Sequence, residues 1–93
     1  MWARTAELEL QGALEFYNFR NGSNLYSLKL LDKIDDVIST ISETETIGRL
    51  TKNKVTRVFP IDIFNLYYEI RNDAIYIVSF WNNNQDESKN RIK

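Results

Sequence analysis

VTRVFPIDIFNLYYEIRNDAIYIVSFW, residues 55–81, is the stretch whose reading decides the fold. Its β-branched and aromatic residues, interrupted by Pro60 and by Asn72-Asp73, mark strands joined by short turns. Val55 to Ile61 reads as a first strand, whose far end should be an edge or a bulge because Pro60 has no backbone donor. Ile63 to Ile70 reads as a second, with Phe64, Leu66, Tyr68 and Ile70 on one face and Ile63, Asn65, Tyr67 and Glu69 on the other. Asn72-Asp73 turns the chain into a third, Ala74 to Trp81. Connections this short make an antiparallel meander. The aromatic richness is read as core and cross-strand packing in preference to a base-stacking platform.

Upstream, the periodicity changes from two to that of a helix. Ala6, Leu10, Ala13, Leu14 and Tyr17 fall on one face of a helix predicted from about Thr5 to Arg20, with Thr5 as N-cap. Asn21-Gly22-Ser23 ends it, since glycine takes the left-handed conformation readily and Ser23 can cap the next helix. That second helix, about Asn24 to Ser42, carries Ser27, Leu30, Leu31, Ile34, Val37, Ile38 and Ile41 in one stripe. Lys29 with Asp32 and Lys33 with Asp36 are spaced as pairs on its solvated side. The expected fold is α+β: an antiparallel helical hairpin covering one face of a three-stranded antiparallel sheet, with the other sheet face and the outer helix faces left to water.

The chain has 93 residues, 43% hydrophobic and 27% charged, which is the composition of one ordinary folded domain, residues 1–93. At this size the core is modest and no bound cofactor is expected. With no histidine and no cysteine, the common transition-metal ligand sets and disulfides are excluded, so the expected metal is none. No apolar run approaches the roughly 20 residues of a membrane span, and the N-terminus lacks a signal-peptide core, so the expected location is the cytoplasm.

The net charge of −1 conceals a pattern. Residues 1–48 carry four cations against eight acids, residues 58–93 four against five, whereas Arg49, Lys52, Lys54 and Arg57 stand together with no acid among them. They enter the organising stretch through ETETIGRLTKNK, residues 43–54, where Gly48 is expected to reverse the chain, Ile47 and Leu50 to anchor it, and Lys52-Asn53-Lys54 to form an exposed mobile tip. Two roles stay open for Lys52 and Lys54: gatekeepers that keep a strand entry soluble, or a functional cationic site.

The order helix, helix, three strands carries a series of local motifs. These are Trp2, Ala6 and Leu10 at spacings of four, Leu14-Glu15-Phe16-Tyr17, Ile47-Gly48-Arg49-Leu50, Arg57, Tyr67-Tyr68-Glu69-Ile70, and Phe80-Trp81-Asn82-Asn83-Asn84-Gln85-Asp86. In this order the chain resembles the RelE/ParE superfamily of bacterial toxins from type II toxin–antitoxin systems. The resemblance implies a small toxin that inhibits growth and is neutralised by a cognate antitoxin. RelE-like members cut mRNA on the ribosome and ParE-like members poison DNA gyrase, so ribosome with mRNA, or gyrase, are the implied targets. Homodimers or heterotetramers with antitoxin are the implied assemblies.

Matching the family's basic sites makes Lys52, Lys54 and Arg57 the candidate catalytic residues. A ribonuclease without histidine can hold the 2′-hydroxyl and scissile phosphate with cations, an arginine supplying a bidentate fork and a lysine of lowered pKa the base. Arg57 is the best placed, on a strand; its alternative is pairing with an acid such as Glu69. Two departures stand out. Related toxins read F-W-D-N-R-Q-D-P after the last strand, whereas Asn82, Asn84 and Glu87 occupy the positions of the acid, the arginine and the proline, which leaves a phosphate-binding charge missing at Asn84. The family's N-terminal strand is also short or absent here, and the edge this exposes would favour dimerisation or completion by an antitoxin strand. A relative that has lost toxicity and acts as a binding module is the alternative reading.

Overall fold

The computed structural model describes residues 1–83. Two helices, α1 (Arg4–Asn21) and α2 (Leu25–Glu43), are followed by four strands, β1 (Arg49–Leu50), β2 (Arg57–Ile61), β3 (Phe64–Arg71) and β4 (Ala74–Asn82), antiparallel in the order β1-β2-β3-β4. The expected hairpin-on-sheet architecture and meander are present. A two-residue fourth strand is added from a segment read as loop. Gly22 ends α1 at φ 65, the left-handed cap the sequence calls for. Asn72 and Asp73, at φ 50 and φ 64, make the turn between β3 and β4.

Opposed residues of neighbouring strands share a face, so the register assigns the two sides. Ile61 and Phe64, Phe59, Leu66 and Phe80, and Tyr68 and Ile77 face the helices. There they meet Ala6, Leu30, Ile34 and Ile41 in one buried cluster. Phe64 and Phe80 stack with ring centroids 4.6 Å apart, and Tyr17 meets Phe64 edge-on at 6.2 Å. Such pairs add about 0.5–1.5 kcal/mol each beyond the area they bury. A bulge makes this face continuous. Tyr67 pairs with Ser79 but Tyr68 with Ile77, so Val78 is extra and Ile75, Ile77 and Phe80 reach the same side although Ile77 and Phe80 are three residues apart.

Several expectations are revised. The opposite sheet face is not simply wet, because Val58, Tyr67 and Ser79 are buried on it. Helix α1 begins at Arg4 with Ala3 as N-cap and no side-chain cap, so Thr5 does not cap it, and α2 begins after Asn24, not Ser23. The cause at α1 is tertiary: Met1–Ala3 lies along β4, with the Ala3 N–H donating to the Ile77 carbonyl at 2.8 Å and the Ile77 N–H to that of Met1 at 2.8 Å. The N-terminal strand is thus a single parallel bridge, Trp2 to Ile77. Lys33 pairs across the fold with Asp62 at 2.8 Å and not with Asp36. Pro60 sits on the part of β2 that β1 does not reach, where a missing donor costs no ladder bond.

The segment before β1 is held in an unforeseen way. Ile47 and Leu50 are 44% and 41% exposed, so they do not anchor it. The Tyr68 hydroxyl does, accepting from the Gly48 N–H at 2.9 Å and donating to the Glu45 carbonyl at 2.8 Å. Gly48 has no positive φ; its hydrogen in place of a side chain is what matters, because a Cβ there would lie 2.7 Å from the Tyr68 hydroxyl and 3.0 Å from the Val58 carbonyl. Tyr68→Phe should therefore lower stability by about 1–3 kcal/mol, the cost of leaving the buried Gly48 N–H unpaired, in a denaturant titration. Gly48→Ala should destabilise through steric overlap, and the double variant Gly48→Ala/Tyr68→Phe by less than the sum of the two single changes.

Candidate functional site

Lys52, Lys54 and Arg57 all lie between β1 and β2 or at the start of β2, but the structure does not bring all three together. Lys54 and Arg57 line a recess of about 240 Å³ with Glu45, Thr46, Leu50, Val55, Tyr68 and Ile70. Lys52 is exposed in the adjoining turn and does not line it. Asn84 lies outside the described residues.

The tip carrying both lysines is tightly hydrogen-bonded, against the expectation of a loose one. The Asn53 side-chain oxygen accepts from the N–H groups of Val55 and Thr56, both at 2.8 Å, and from the Thr51 hydroxyl at 3.1 Å. Its amide donates to the Thr56 hydroxyl at 2.8 Å. Asparagine suits this role because one side chain can accept and donate within a turn. Lys54 takes φ 64 here, a left-handed conformation that the surrounding bonds hold in a residue other than glycine.

Arg57 is half-buried opposite Tyr68, and its Nη1 donates to the carbonyls of Gly48 at 2.8 Å and Thr46 at 3.3 Å. The expected alternative, pairing with Glu69, is not what forms. Glu69 accepts from Arg71 at 2.7 Å and 3.0 Å and from the Thr56 hydroxyl at 2.8 Å. The Arg71 guanidinium and then the Thr56 hydroxyl hold the Glu69 carboxyl below its ordinary range, while partial burial opposes them. Arg71 also lies over the Tyr76 ring, 5.0 Å from its centroid.

The residues that the charge pattern did not single out are apolar. Leu50 and Val55, 41% and 62% exposed, line the recess beside its two cations, and Ile47, 44% exposed, lies in the segment leading to it. The spacing I-x-x-L in residues 47–50 was legible, but it points equally to core and to surface. Among the described residues no cluster of histidine, cysteine, aspartate or glutamate is arranged to hold a metal. No helix among them is long and apolar enough to cross a membrane.

With this geometry in place, the comparison with known families is specific. A family model for the ParE toxin of the type II toxin–antitoxin system parDE matches residues 1–87, most of the chain. No curated protein sequence matches. The chain belongs to the ParE toxin family, and is a toxin of a type II system with an antitoxin as partner.

The Glu69 carboxylate supplies the pH test of the site's scaffold. Because its folded pKa is depressed, the stability it contributes is present above the unfolded pKa and is lost as pH falls through the folded one. Acid titration of unfolding should show a shallower loss of stability in Glu69→Gln than in the parent chain, with the two curves converging at low pH.

Proposed function

We propose that this member of the ParE toxin family arrests growth by binding a protein target, DNA gyrase, through the surface around the recess, and that it does not cleave mRNA. The observation that carries this reading is the company kept by Arg57 and Lys54: two exposed aliphatic side chains, Leu50 and Val55, with Ile70 and a Glu45 wall. An arginine beside apolar side chains is the composition of a protein-contact patch. A phosphate site would instead hold several cations free to converge on one oxygen cluster, and here one nitrogen of Arg57 is engaged by backbone carbonyls. The net charge of −1 and the asparagine at position 84 agree with a protein target.

The cleavage reading keeps one observation in its favour, the shared recess of Lys54 and Arg57, in which both would contact the scissile phosphate and Lys52 would approach from the turn. Induced expression with and without the antitoxin separates the readings. The gyrase reading expects growth arrest with gyrase-linked DNA breaks, intact ribosomal mRNA, and arrest weakened roughly tenfold or more in Leu50→Ser or Val55→Ser. Ribosome-dependent mRNA cleavage that disappears in Lys54→Ala would replace it with a ribonuclease. Harmless expression of a folded chain, unchanged by Asn84→Arg, would leave only a binding module.

A further inference from the structure

Among the described residues, four other than glycine take a positive φ: Lys54, Asp62, Asn72 and Asp73. Three of them are aspartate or asparagine, whose short polar side chains can bond the local backbone and ease this conformation. Lys54, at φ 64, has no such help. Glycine would take the same backbone without steric cost, so the turn itself gains nothing from a lysine. A strained residue of this kind persists where its surroundings over-determine it, and such residues gather at ligand clamps. The Lys54 side chain lines the recess with Arg57, and among the described residues its ammonium has no acid partner.

What over-determines the turn is a chain of hydrogen bonds with a fixed direction. The Glu69 carboxylate, bound on one oxygen by Arg71, can only accept, so the Thr56 hydroxyl must donate to its other oxygen, at 2.8 Å. With its proton committed there, that hydroxyl accepts from the Asn53 amide nitrogen at 2.8 Å. The Asn53 oxygen is thereby turned toward its three donors, the Val55 and Thr56 N–H groups and the Thr51 hydroxyl. Thr51 and Thr56, 5% and 1% exposed, close the loop: the Thr51 N–H donates to the Thr56 carbonyl at 2.8 Å, and the Lys54 N–H to the Thr51 carbonyl at 3.0 Å.

We infer that Thr56 and Glu69 are positioning residues for target binding: acting through Asn53, they hold Lys54 where its ammonium lines the recess beside Arg57. Glu69 stands in β3 between Tyr68 and Ile70, which both line the recess, so its side chain and the Thr56 hydroxyl it holds lie on the other face of the sheet. Neither residue touches what the recess binds. The inference rests on the reading of the recess as the target surface and adds to it a support that works from behind.

Glu69→Gln leaves one acceptor oxygen for two groups that both donate, and Thr56→Val removes the middle of the chain. In the full chain, made by cell-free synthesis to avoid its toxicity, each change should speed hydrogen exchange at the Val55 and Thr56 N–H groups roughly tenfold or more while the Leu66 amide of the central strand stays protected. Each should also raise the concentration that half-inhibits purified gyrase roughly tenfold. Thr56→Ser, which keeps the hydroxyl, should match the parent in every readout. Lys54→Gly should keep both amides protected and weaken inhibition to a similar degree, since only the ammonium is lost. Unchanged exchange at Val55 and Thr56 in both Thr56→Val and Glu69→Gln overturns the inference. So does lost protection with undiminished inhibition, a Thr56→Ser that behaves like Thr56→Val, or equal loss at Leu66, which would make the role merely structural. A parent chain that leaves gyrase untouched refutes the gyrase reading alone; the same variants scored for growth arrest then decide the inference, with arrest as strong as the parent's refuting it. A parent chain harmless to cells refutes both.

Discussion

The Tyr68 hydroxyl is the interaction on which the working end of this molecule depends. Its ring is fully buried among Leu66, Ile77 and the helices, so its position is set by the core. Its oxygen reaches the backbone of Glu45 and Gly48 and bonds it, in a segment that has no apolar anchor of its own. Arg57, directly opposite Tyr68 in the register, adds its bonds to Thr46 and Gly48. One strand pair thus fixes the loop from two sides. The recess exists because the chain between α2 and β2 is tied to the core by polar bonds and leaves its aliphatic side chains facing outward.

That arrangement changes the meaning of the charge cluster. Four cations within nine residues suggest a phosphate site when only the sequence is considered, yet the structure keeps only Lys54 and Arg57 in one recess. Arg57 serves partly as a structural donor, Lys52 lies in a turn organised by Asn53, and Arg49 lies on the outer strand. Family membership supplies the antitoxin partner, and the apolar frame around Lys54 and Arg57 is what favours a protein target over a nucleic-acid one.

Polar side chains also manage the sheet's other edge. Glu9, on α1, accepts from the backbone of β4 just past the bulge, where a regular neighbouring strand could not keep register. With Met1–Ala3 bonded alongside, much of that edge is occupied by groups from the same chain. Exposed apolar side chains then fall on both helices and on the segment between α2 and β2: Leu8, Phe16 and Phe19 on α1, Leu25 and Leu28 on α2, and Ile47, Leu50 and Val55 beyond it.

How much of this was legible depended on the range of the interaction. Local periodicity and turn chemistry determined the two helices, the Gly22 cap, the Asn72-Asp73 turn and the three long strands, since each rests on residues a few positions apart. The motif order also carried the family. What the tertiary structure alone decided were partners far apart in the chain: Tyr68 with Gly48, Lys33 with Asp62, Glu9 with Phe80, and Met1–Ala3 with β4. Ile47 and Leu50 show why. An apolar residue in a short irregular segment has no period to reveal its face, so only the position of Tyr68, set by the packed core, determined that the backbone was held and these side chains were left outside.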